Sequence, residues 1–391
     1  MENVPKYYRD TWVEVNLDCI EENIKNIKSI FKQDMNVMAV VKADGYGHGA
    51  VEVAKTALHA GAAYLAVAIL DEAIMLRKAG IDAPILVLGY IRPEDVSIAV
   101  QYKITVTAMS RAWVENVQSI YKGKEQIFVH LKFDTGMGRI GITTEEEGND
   151  VIEIIKRSDH FSIEGVFTHF ATADELTFDY FEKQYVRFLR VLALFNKHEI
   201  SIPYIHCGNS ATGLRFPDRA FNMFRLGISM YGLTPSIEIK DLLPVRLKEA
   251  FSLHSRFTQV KHVPPGEGIS YGATYQTKDW EWIGTIPIGY ADGWYRYHST
   301  NGGHVIVDGK KAPFVGRICM DQCMVRLPYE VKEGTKVTLI GQQQAESISI
   351  DDIAMRFATI NYEVPCMIGQ RVPRVYIRNN QIVSIKNKII L

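Results

Sequence analysis

Five cysteines in 391 residues are few and odd in number, and Cys19, Cys207, Cys319, Cys323 and Cys366 follow no disulfide framework. Cys319 and Cys323 are four apart, but no second ligand pair accompanies them, so free, buried thiols are expected in place of a zinc site. The eleven histidines are scattered and form no HExxH, which argues against a catalytic metal. Charge of one sign is not in excess either: 44 Lys plus Arg against 45 Asp plus Glu leave a formal net charge of -1. That balance gives no electrostatic footprint for nucleic acid or an anionic membrane. Long hydrophobic runs are missing as well, since stretches such as Ala83–Tyr90 fall far short of the ~20 residues a bilayer span needs. The opening Met1–Lys6 is polar and carries no apolar signal-peptide core. A cytoplasmic location, with neither a nucleic-acid nor a membrane partner, is the expectation.

What is present is ordinary globular material, 47% hydrophobic and 23% charged, in a chain long enough for two cores. Apolar residues at helical spacing (Ile20, Ile24, Ile27, Ile30, Phe31) predict an amphipathic helix over Asp18–Lys32. The run Val37–Val41 reads as a buried strand, followed by a helical stretch over Ala50–Ala60. Short apolar runs then recur at Tyr64–Ala68, Pro84–Gly89, Ile104–Ala108, Ile127–Phe133, Ile163–Phe170, Tyr204–Cys207 and Met223–Ile228. Helical patterning separates them, as in Leu70–Ala79, Arg111–Tyr121 and Asp179–Lys197. Continuous apolar runs alternating with helices indicate a parallel sheet buried on both faces. Eight such units predict a (β/α)8 barrel, with an open doubly wound sheet as the competing arrangement.

The texture changes at Leu243-Pro244. Beyond it, strand-like segments dominate: Phe251–Val260, Gly284–Ile288, His304–Val307, Val337–Ile340 and Arg374–Ile377, with one short helix over Ile350–Phe357. The expected organisation is a barrel domain over residues 1–245, whose first residues pack with the other domain, and a mostly-β domain over 246–391.

In a β/α barrel the reacting groups gather at the C-terminal ends of the strands. Lys42 stands at the end of the first, in Val41-Lys42-Ala43-Asp44-Gly45-Tyr46-Gly47-His48-Gly49. An amine there, backed by apolar walls, can serve as a nucleophile, and the glycines permit close approach of backbone to a ligand. By position alone a surface lysine is the commoner case. Lys132, Asp134 and Arg139 follow the fifth strand, and regular alternation would put His130, Lys132 and Asp134 on one face. His169 ends the sixth. The seventh runs into Gly208-Asn209-Ser210-Ala211-Thr212, and the eighth into Arg225-Leu226-Gly227-Ile228. Taken singly, these are more often a core histidine, a turn and a surface ion pair. Jointly, an amine nucleophile and two anion-friendly loops point to a phosphorylated carbonyl cofactor, pyridoxal phosphate (PLP).

The stretch Val41–Gly49 resembles the PLP-attachment motif of alanine racemases. The similarity continues in order through His130–Arg139, His206–Ala211, Arg225–Gly232, Ile269–Gly272, Gly316–Asp321 and Ile360–Glu363. Gly45 and Gly208 stand where many members have alanine, which affects no assigned role. The resemblance implies a PLP-dependent enzyme interconverting L-alanine and D-alanine, the latter a precursor of cell-wall peptidoglycan. It implies a homodimer in which each barrel's site is completed by the partner's β domain. Lys42 would hold PLP covalently and act as the base on the D face, with Tyr271 of the partner subunit as the base on the L face. Tyr46, Ser210, Gly227, Ile228 and Tyr362 would bind the phosphate, with Asn209 in the same cofactor-binding set. Arg139 and the backbone N–H of Met320 of the partner subunit would hold the substrate carboxylate, with Asp321 beside it. His169 and Arg225 would steady the tyrosine base. Arg225 would also face the pyridine nitrogen, where a carboxylate is common among PLP enzymes. Lys132, crowded by Arg139, would be carbamylated and so turned into an anion.

Inversion through a planar carbanion is simplest with one base on each face, and lysine and tyrosine side chains both ordinarily titrate near 10, so each base needs help from its surroundings. Other readings of the same residues are a racemase for serine or a larger amino acid, a decarboxylase of basic amino acids, a non-enzymatic PLP carrier, and an aldolase-like barrel using Lys42 without PLP. The match around Tyr271 and Arg225 argues against decarboxylation, and the large second domain against the carrier.

Overall fold

The computed structural model describes residues 7–32 and 35–390, so the polar opening Met1–Lys6 lies outside the described residues. The chain divides into two compact units. One comprises residues 20–45 and 50–248; the other takes the described residues up to Cys19, the short segment Tyr46–Gly49, and everything from Glu249. The N-terminal strand β1 (Thr11–Asn16) passes directly into helix α1 (Leu17–Lys28). The helix stops a turn short of the expected Lys32, with Ser29 N–H and Ile30 N–H bonding back to Lys25 and Ile27.

The barrel unit is built on eight parallel strands: β2 (Asn36–Val40), β3 (Tyr64–Val67), β4 (Ile85–Val87), β5 (Thr105–Ala108), β6 (Ile127–Lys132), β7 (Phe161–Phe167), β8 (Tyr204–His206) and β9 (Met223–Leu226). Neighbours in sequence pair from β2 to β8, and β9 returns to pair with β2, Val37 opposite Phe224. The seam between β8 and β9 is bridged by Arg225 N–H to the Gly208 carbonyl at 3.0 Å and by Ile205 N–H to Asn222 Oδ1 at 2.8 Å. A nearly closed barrel results, as the eight apolar runs predicted, and the open doubly wound sheet is ruled out. The strands read as unbroken apolar runs because both faces are covered: β3, β4 and β5 are buried at every residue. Helix Asp179–Lys197 runs as its periodicity predicts, with Phe181, Phe188, Val191, Leu194 and Phe195 on the buried stripe.

The second unit is mostly β, as expected. Its main sheet sets β1 between β10 (Phe251–Arg256), to which it is antiparallel, and Arg374–Arg378, to which it is parallel. The segment expected as one strand over Phe251–Val260 is two strands in different sheets, β10 and Gln259–Val263. The break falls at Phe257, which is buried and occupies the space above Gly284 on the neighbouring strand Glu281–Ile286. Helix Ile350–Phe357 forms as expected, opened by a Ser349/Asp352 capping box. No helix among the described residues is long and apolar enough to cross a membrane.

Candidate active site

Lys42 is half-buried and follows the end of β2. The four residues after it, Ala43, Asp44, Gly45 and Tyr46, have φ of 51°, 52°, 62° and 51°, which is one turn of left-handed helix. Each non-glycine residue in that conformation costs about 1–2 kcal/mol. Such strain persists only where surrounding bonds over-determine it. Gly45 N–H donates to the Val41 carbonyl at 2.9 Å, Ala43 N–H to Glu72 Oε1 at 2.6 Å, and Ala50 N–H to Asp44 Oδ1 at 3.1 Å. The other Glu72 oxygen accepts from Ala68 N–H at 2.8 Å, so one carboxylate ties together the chain leaving β2 and β3. Nothing in the sequence singled out Glu72 beyond an acid in a helix's first turn. Gly47 and Gly49, expected to admit a ligand, are required by the chain's own packing. Both have positive φ, and a Cβ would collide with the Pro365 carbonyl at the first and the Tyr376 hydroxyl at the second.

Around the barrel mouth the structure gathers cations. Lys132, at the end of β6, is buried, and its pKa is pushed down to about 7 by that burial and then by Arg225 and Arg139, against the pull of Asp134. Its Nζ donates to the Phe133 carbonyl at 3.1 Å. Asp134 lies past the end of β6, whose last residue is Lys132. Its carboxylate accepts from the backbone N–H of Gly136, Gly138 and Arg139 at 2.9, 3.1 and 2.8 Å, and so shapes the loop that carries Arg139. Burial opposes ionisation of Asp134, but those donors and Lys132 outweigh it and hold its pKa below the ordinary value.

Arg225, on β9, is fully enclosed, yet no carboxylate touches it. Its NH1 donates to His206 Nδ1 at 2.8 Å and to the His206 carbonyl at 3.1 Å. NH2 serves the carbonyls of Thr168 and Cys207 at 2.9 and 3.1 Å and His169 Nδ1 at 3.2 Å. The Nε–H is the remaining donor. Since a guanidinium only donates, His169 must accept at Nδ1, and the neutral ring then carries its proton on Nε2. Burial, followed by Arg225, Lys132, Arg139 and Lys42, holds the His169 pKa well below the ordinary histidine value, so that neutral form persists.

Asn209 caps the helix Ser210–Arg215, accepting from Thr212 N–H at 3.0 Å. Ser210 Oγ accepts from Gly227 N–H at 2.9 Å and from Ser229 N–H at 3.5 Å. The loop after β8 is thereby fastened to the turn Ile228–Tyr231 after β9, and the Ser210 O–H is left to donate. Thus Lys42, Lys132, Arg139, His169, Asn209, Ser210, Arg225, Gly227 and Ile228 all belong to the barrel unit, at or beyond strand C-termini.

The other expected site residues belong to the second unit. The Tyr46 and Tyr362 rings lie 6.2 Å apart, and burial, with Cys366 adding, pushes the Tyr46 hydroxyl pKa up. Tyr271 sits in a strained turn between Ser270, at φ 67°, and Gly272, at φ 73°. Ser270 Oγ donates to the Arg317 carbonyl at 2.5 Å, and Gly316 must be glycine because a Cβ there would press on Ile269 and Ser270. The turn is held, while the Tyr271 side chain is not covered: Tyr271 is 71% exposed and Met320 53%. Asp321 pairs with Arg371 at 2.7 Å. None of the five cysteines is paired in a disulfide, as expected, but the expected burial applies to Cys207 and Cys323 alone. Among the described residues no His, Cys, Asp and Glu cluster could hold a metal ion. A cavity of about 1360 Å³ opens at the opposite, N-terminal end of the barrel strands and contains none of the expected residues.

The family model described as "Alanine racemase, N-terminal domain" matches residues 15–235, and that for the C-terminal domain of alanine racemase matches residues 250–376. The chain is 58% identical over 385 residues to the alanine racemase of Halalkalibacterium halodurans, covering 98% of this chain and 99% of that one. It resembles the crystal structure of alanine racemase from Bacillus anthracis with bound L-Ala-P at a TM-score of 0.95 and 48% identity, over 98% and 99% of the two chains. A histidine racemase from Leuconostoc mesenteroides subsp. sake shares the fold more distantly, at a TM-score of 0.87 and 29% identity over 96% of this chain and 100% of that one. Two domain models that together span most of its length, and relatives aligned nearly end to end, make this chain an amino-acid racemase belonging to the alanine racemase family.

Proposed function

We propose that the protein interconverts L-alanine and D-alanine with PLP held on Lys42, using Lys42 and Tyr271 of the partner subunit as bases on opposite faces of the substrate. The observation that carries this reading is Arg225: a buried guanidinium that meets only neutral acceptors and keeps its Nε–H. That donor set suits a neutral ring nitrogen, and the Ser210 O–H suits a phosphate; the residues present fit PLP. When bound, PLP supplies an electron sink that makes the substrate Cα–H acidic. Lys42 Nζ moves the proton on the D face and Tyr271 Oη the one on the L face. Arg139, on the loop ordered by Asp134, orients the substrate carboxylate, helped by the Met320 N–H of the partner subunit and by Asp321 nearby. Tyr46, Asn209, Ser210, Gly227, Ile228 and Tyr362 are the proposed cofactor contacts, and His169 Nε2–H a hydrogen-bond donor to the tyrosine base. The exposure of Tyr271 in a single chain supports use of that side chain by a second subunit in a homodimer. Domains over residues 1–245 and 246–391, with the N-terminal residues joining the latter, remain the proposed division of labour between cofactor barrel and base-donating domain. In a bacterial cytoplasm the product would serve peptidoglycan synthesis.

The test follows solvent deuterium into each enantiomer. Wild-type enzyme should label both L- and D-alanine, and absence of exchange from either would refute the reading. Tyr271→Phe should lower turnover by roughly 100-fold or more, 100-fold being the lower end of what one general base contributes. The loss should depend on which enantiomer is supplied; equal labelling from both in the variant would count against two bases. Alanine is favoured over histidine as the substrate because the alanine racemases are the nearer relatives. Some serine turnover is expected, since a hydroxyl added to a methyl is rejected only weakly by an apolar pocket.

We further propose that the Lys132 amine, with a pKa of about 7, adds to carbon dioxide. The N–C bond forms as one N–H proton is released, leaving a carbamate anion beside Arg139 and Arg225. Labelled bicarbonate should give one protein-bound carbamate carbon signal per chain, lost in Lys132→Ala. A signal that survives that substitution, or no signal in wild type, would refute it.

A further inference from the structure

The hydrogen bonding of Arg225 does not end at His206. His206 Nε2 lies 2.8 Å from His130 Nδ1, and His130 Nε2 lies 3.4 Å from Glu164 Oε2. The same Glu164 oxygen accepts from Tyr64 Oη at 2.7 Å and Thr105 Oγ1 at 2.9 Å. His130 and His206 are fully buried, whereas the Glu164 side chain keeps 24% of its surface and lines the cavity at the N-terminal end of the barrel. A line of polar groups therefore crosses the barrel interior, from a water-contacting carboxylate at one end to the guanidinium at the other.

We infer that Glu164 is a positioning residue for Arg225, acting through His130 and His206 to set one direction of hydrogen bonding along the barrel interior and so to hold the guanidinium at the site. The two ends of the line agree on that direction. Arg225 can only donate, so His206 accepts at Nδ1 and, when neutral, carries its proton on Nε2. That proton can be given only to His130 Nδ1, which leaves the His130 proton on Nε2, facing the carboxylate. Glu164, which when ionised can only accept, favours the same arrangement. The opposite tautomers would aim a lone pair at the carboxylate and an N–H at the guanidinium.

Both rings are held in place for this task. Phe167 stacks on His206 with centroids 4.8 Å apart and planes 6° apart. Gly165 stands opposite His130 in the β6–β7 register, and a Cβ there would come within 2.7 Å of the imidazole. The glycine inside this strand is thus explained by the ring it admits. Burial, with Arg225 adding, holds both histidines below their ordinary pKa, in keeping with neutral rings. The 3.4 Å contact between His130 and Glu164 is long for a hydrogen bond, so the carboxylate acts mainly by its charge. A carboxylate behind an imidazole makes the far nitrogen a better acceptor, and the chain of two rings passes that bias to the acceptor of Arg225.

The inference deepens the proposed racemase reading, and the experiment separates the two. In 15N-histidine-labelled holoenzyme at neutral pH, His130 and His206 should both show a protonated, pyrrole-type Nε2 and a bare, pyridine-type Nδ1. The opposite tautomer, or a cation, at either ring overturns the inference without needing any variant. In Glu164→Gln the His206 resonances should move although His206 does not touch residue 164. The kcat should fall roughly tenfold, the lower end for loss of a carboxylate behind a functional imidazole, while KM for alanine stays within twofold. Thr105→Val removes a hydrogen bond from the same carboxylate but leaves its charge, and should leave the His206 resonances in place. Unmoved His206 signals in Glu164→Gln, or equal shifts in both variants, would assign Glu164 to structure alone. Wild-type protein with the expected tautomers but no racemisation would refute the racemase reading and leave this one standing.

Discussion

Lys42→Ala is expected to lower racemisation of both enantiomers by roughly 10⁴-fold, the upper end of the range for a proton-transferring residue, because one side chain carries two tasks. On the proposed mechanism, loss of Tyr271 would remove a base from one face only, so its effect would depend on the starting enantiomer. Loss of Lys42 would also remove the proposed covalent attachment of the cofactor, which both directions share. The substitution is local: the left-handed turn begins at Ala43, and its bonds to Val41, Glu72 and Asp44 involve no Lys42 side-chain atom. Alanine also fits the end of a buried strand. The variant should therefore fold, with an unchanged circular dichroism spectrum and a melting temperature near that of wild type. Measured kcat in the two directions, with and without added methylamine as a small replacement amine, checks the claim. Partial restoration by the amine is expected. A fall of less than tenfold in a folded variant would mean that another residue carries the cofactor.

The barrel was legible because parallel strands covered on both faces must be apolar throughout, and glycine and helix-capping residues punctuate the runs. The same logic placed Lys42, Lys132, His169, Ser210 and Arg225 at strand ends. It did not reveal the left-handed turn. Positive φ is disfavoured at Ala43, Asp44 and Tyr46, and the conformation is held from outside by Glu72, whose carboxylate accepts from Ala43 N–H across 29 residues that a local window does not contain. Nor could pattern alone assign Tyr46–Gly49 to the second unit, since its reasons lie at Pro365 and Tyr376. Strand β1 was missed as a strand because its partners are β10 and Arg374–Arg378, hundreds of residues later. The pattern singled out His130 only as a neighbour of Lys132 on one strand and did not single out Glu164; only the barrel's closure puts them in line with His206.

Arg225→Glu is expected to cut racemisation by roughly 10²–10³-fold, the scale for removing a preorganised electrostatic contact, and to raise the fraction of turnovers that release pyruvate. The guanidinium is an obligate cation that cannot take a proton from the ring nitrogen it is proposed to face. On the proposed reading, a ring left unprotonated would be a weak electron sink, and Lys42 or Tyr271 would return the proton to the substrate Cα promptly. A carboxylate in the same place can accept and hold the ring proton. The deprotonated substrate then survives longer, and protonation away from Cα, which leads to transamination, gains on racemisation. The surroundings add a structural cost. Four N–H donors disappear from the carbonyls of Thr168, His206 and Cys207 and from two imidazoles. A new buried anion stands where the polarity of His206 and His169 was set to accept. A loss of about 3–5 kcal/mol, as for breaking a buried charged network, should lower the melting temperature. Arg225→Gln separates the two effects: it removes the cation without offering a carboxylate, so it should lose rate while keeping pyruvate release near the wild-type fraction. The decisive quantity is the ratio of pyruvate formed to alanine racemised, measured on folded protein below each variant's melting point. A ratio in Arg225→Glu at least tenfold above that of Arg225→Gln is the expected outcome, and equal ratios would mean that the buried guanidinium holds the site together without choosing its reaction.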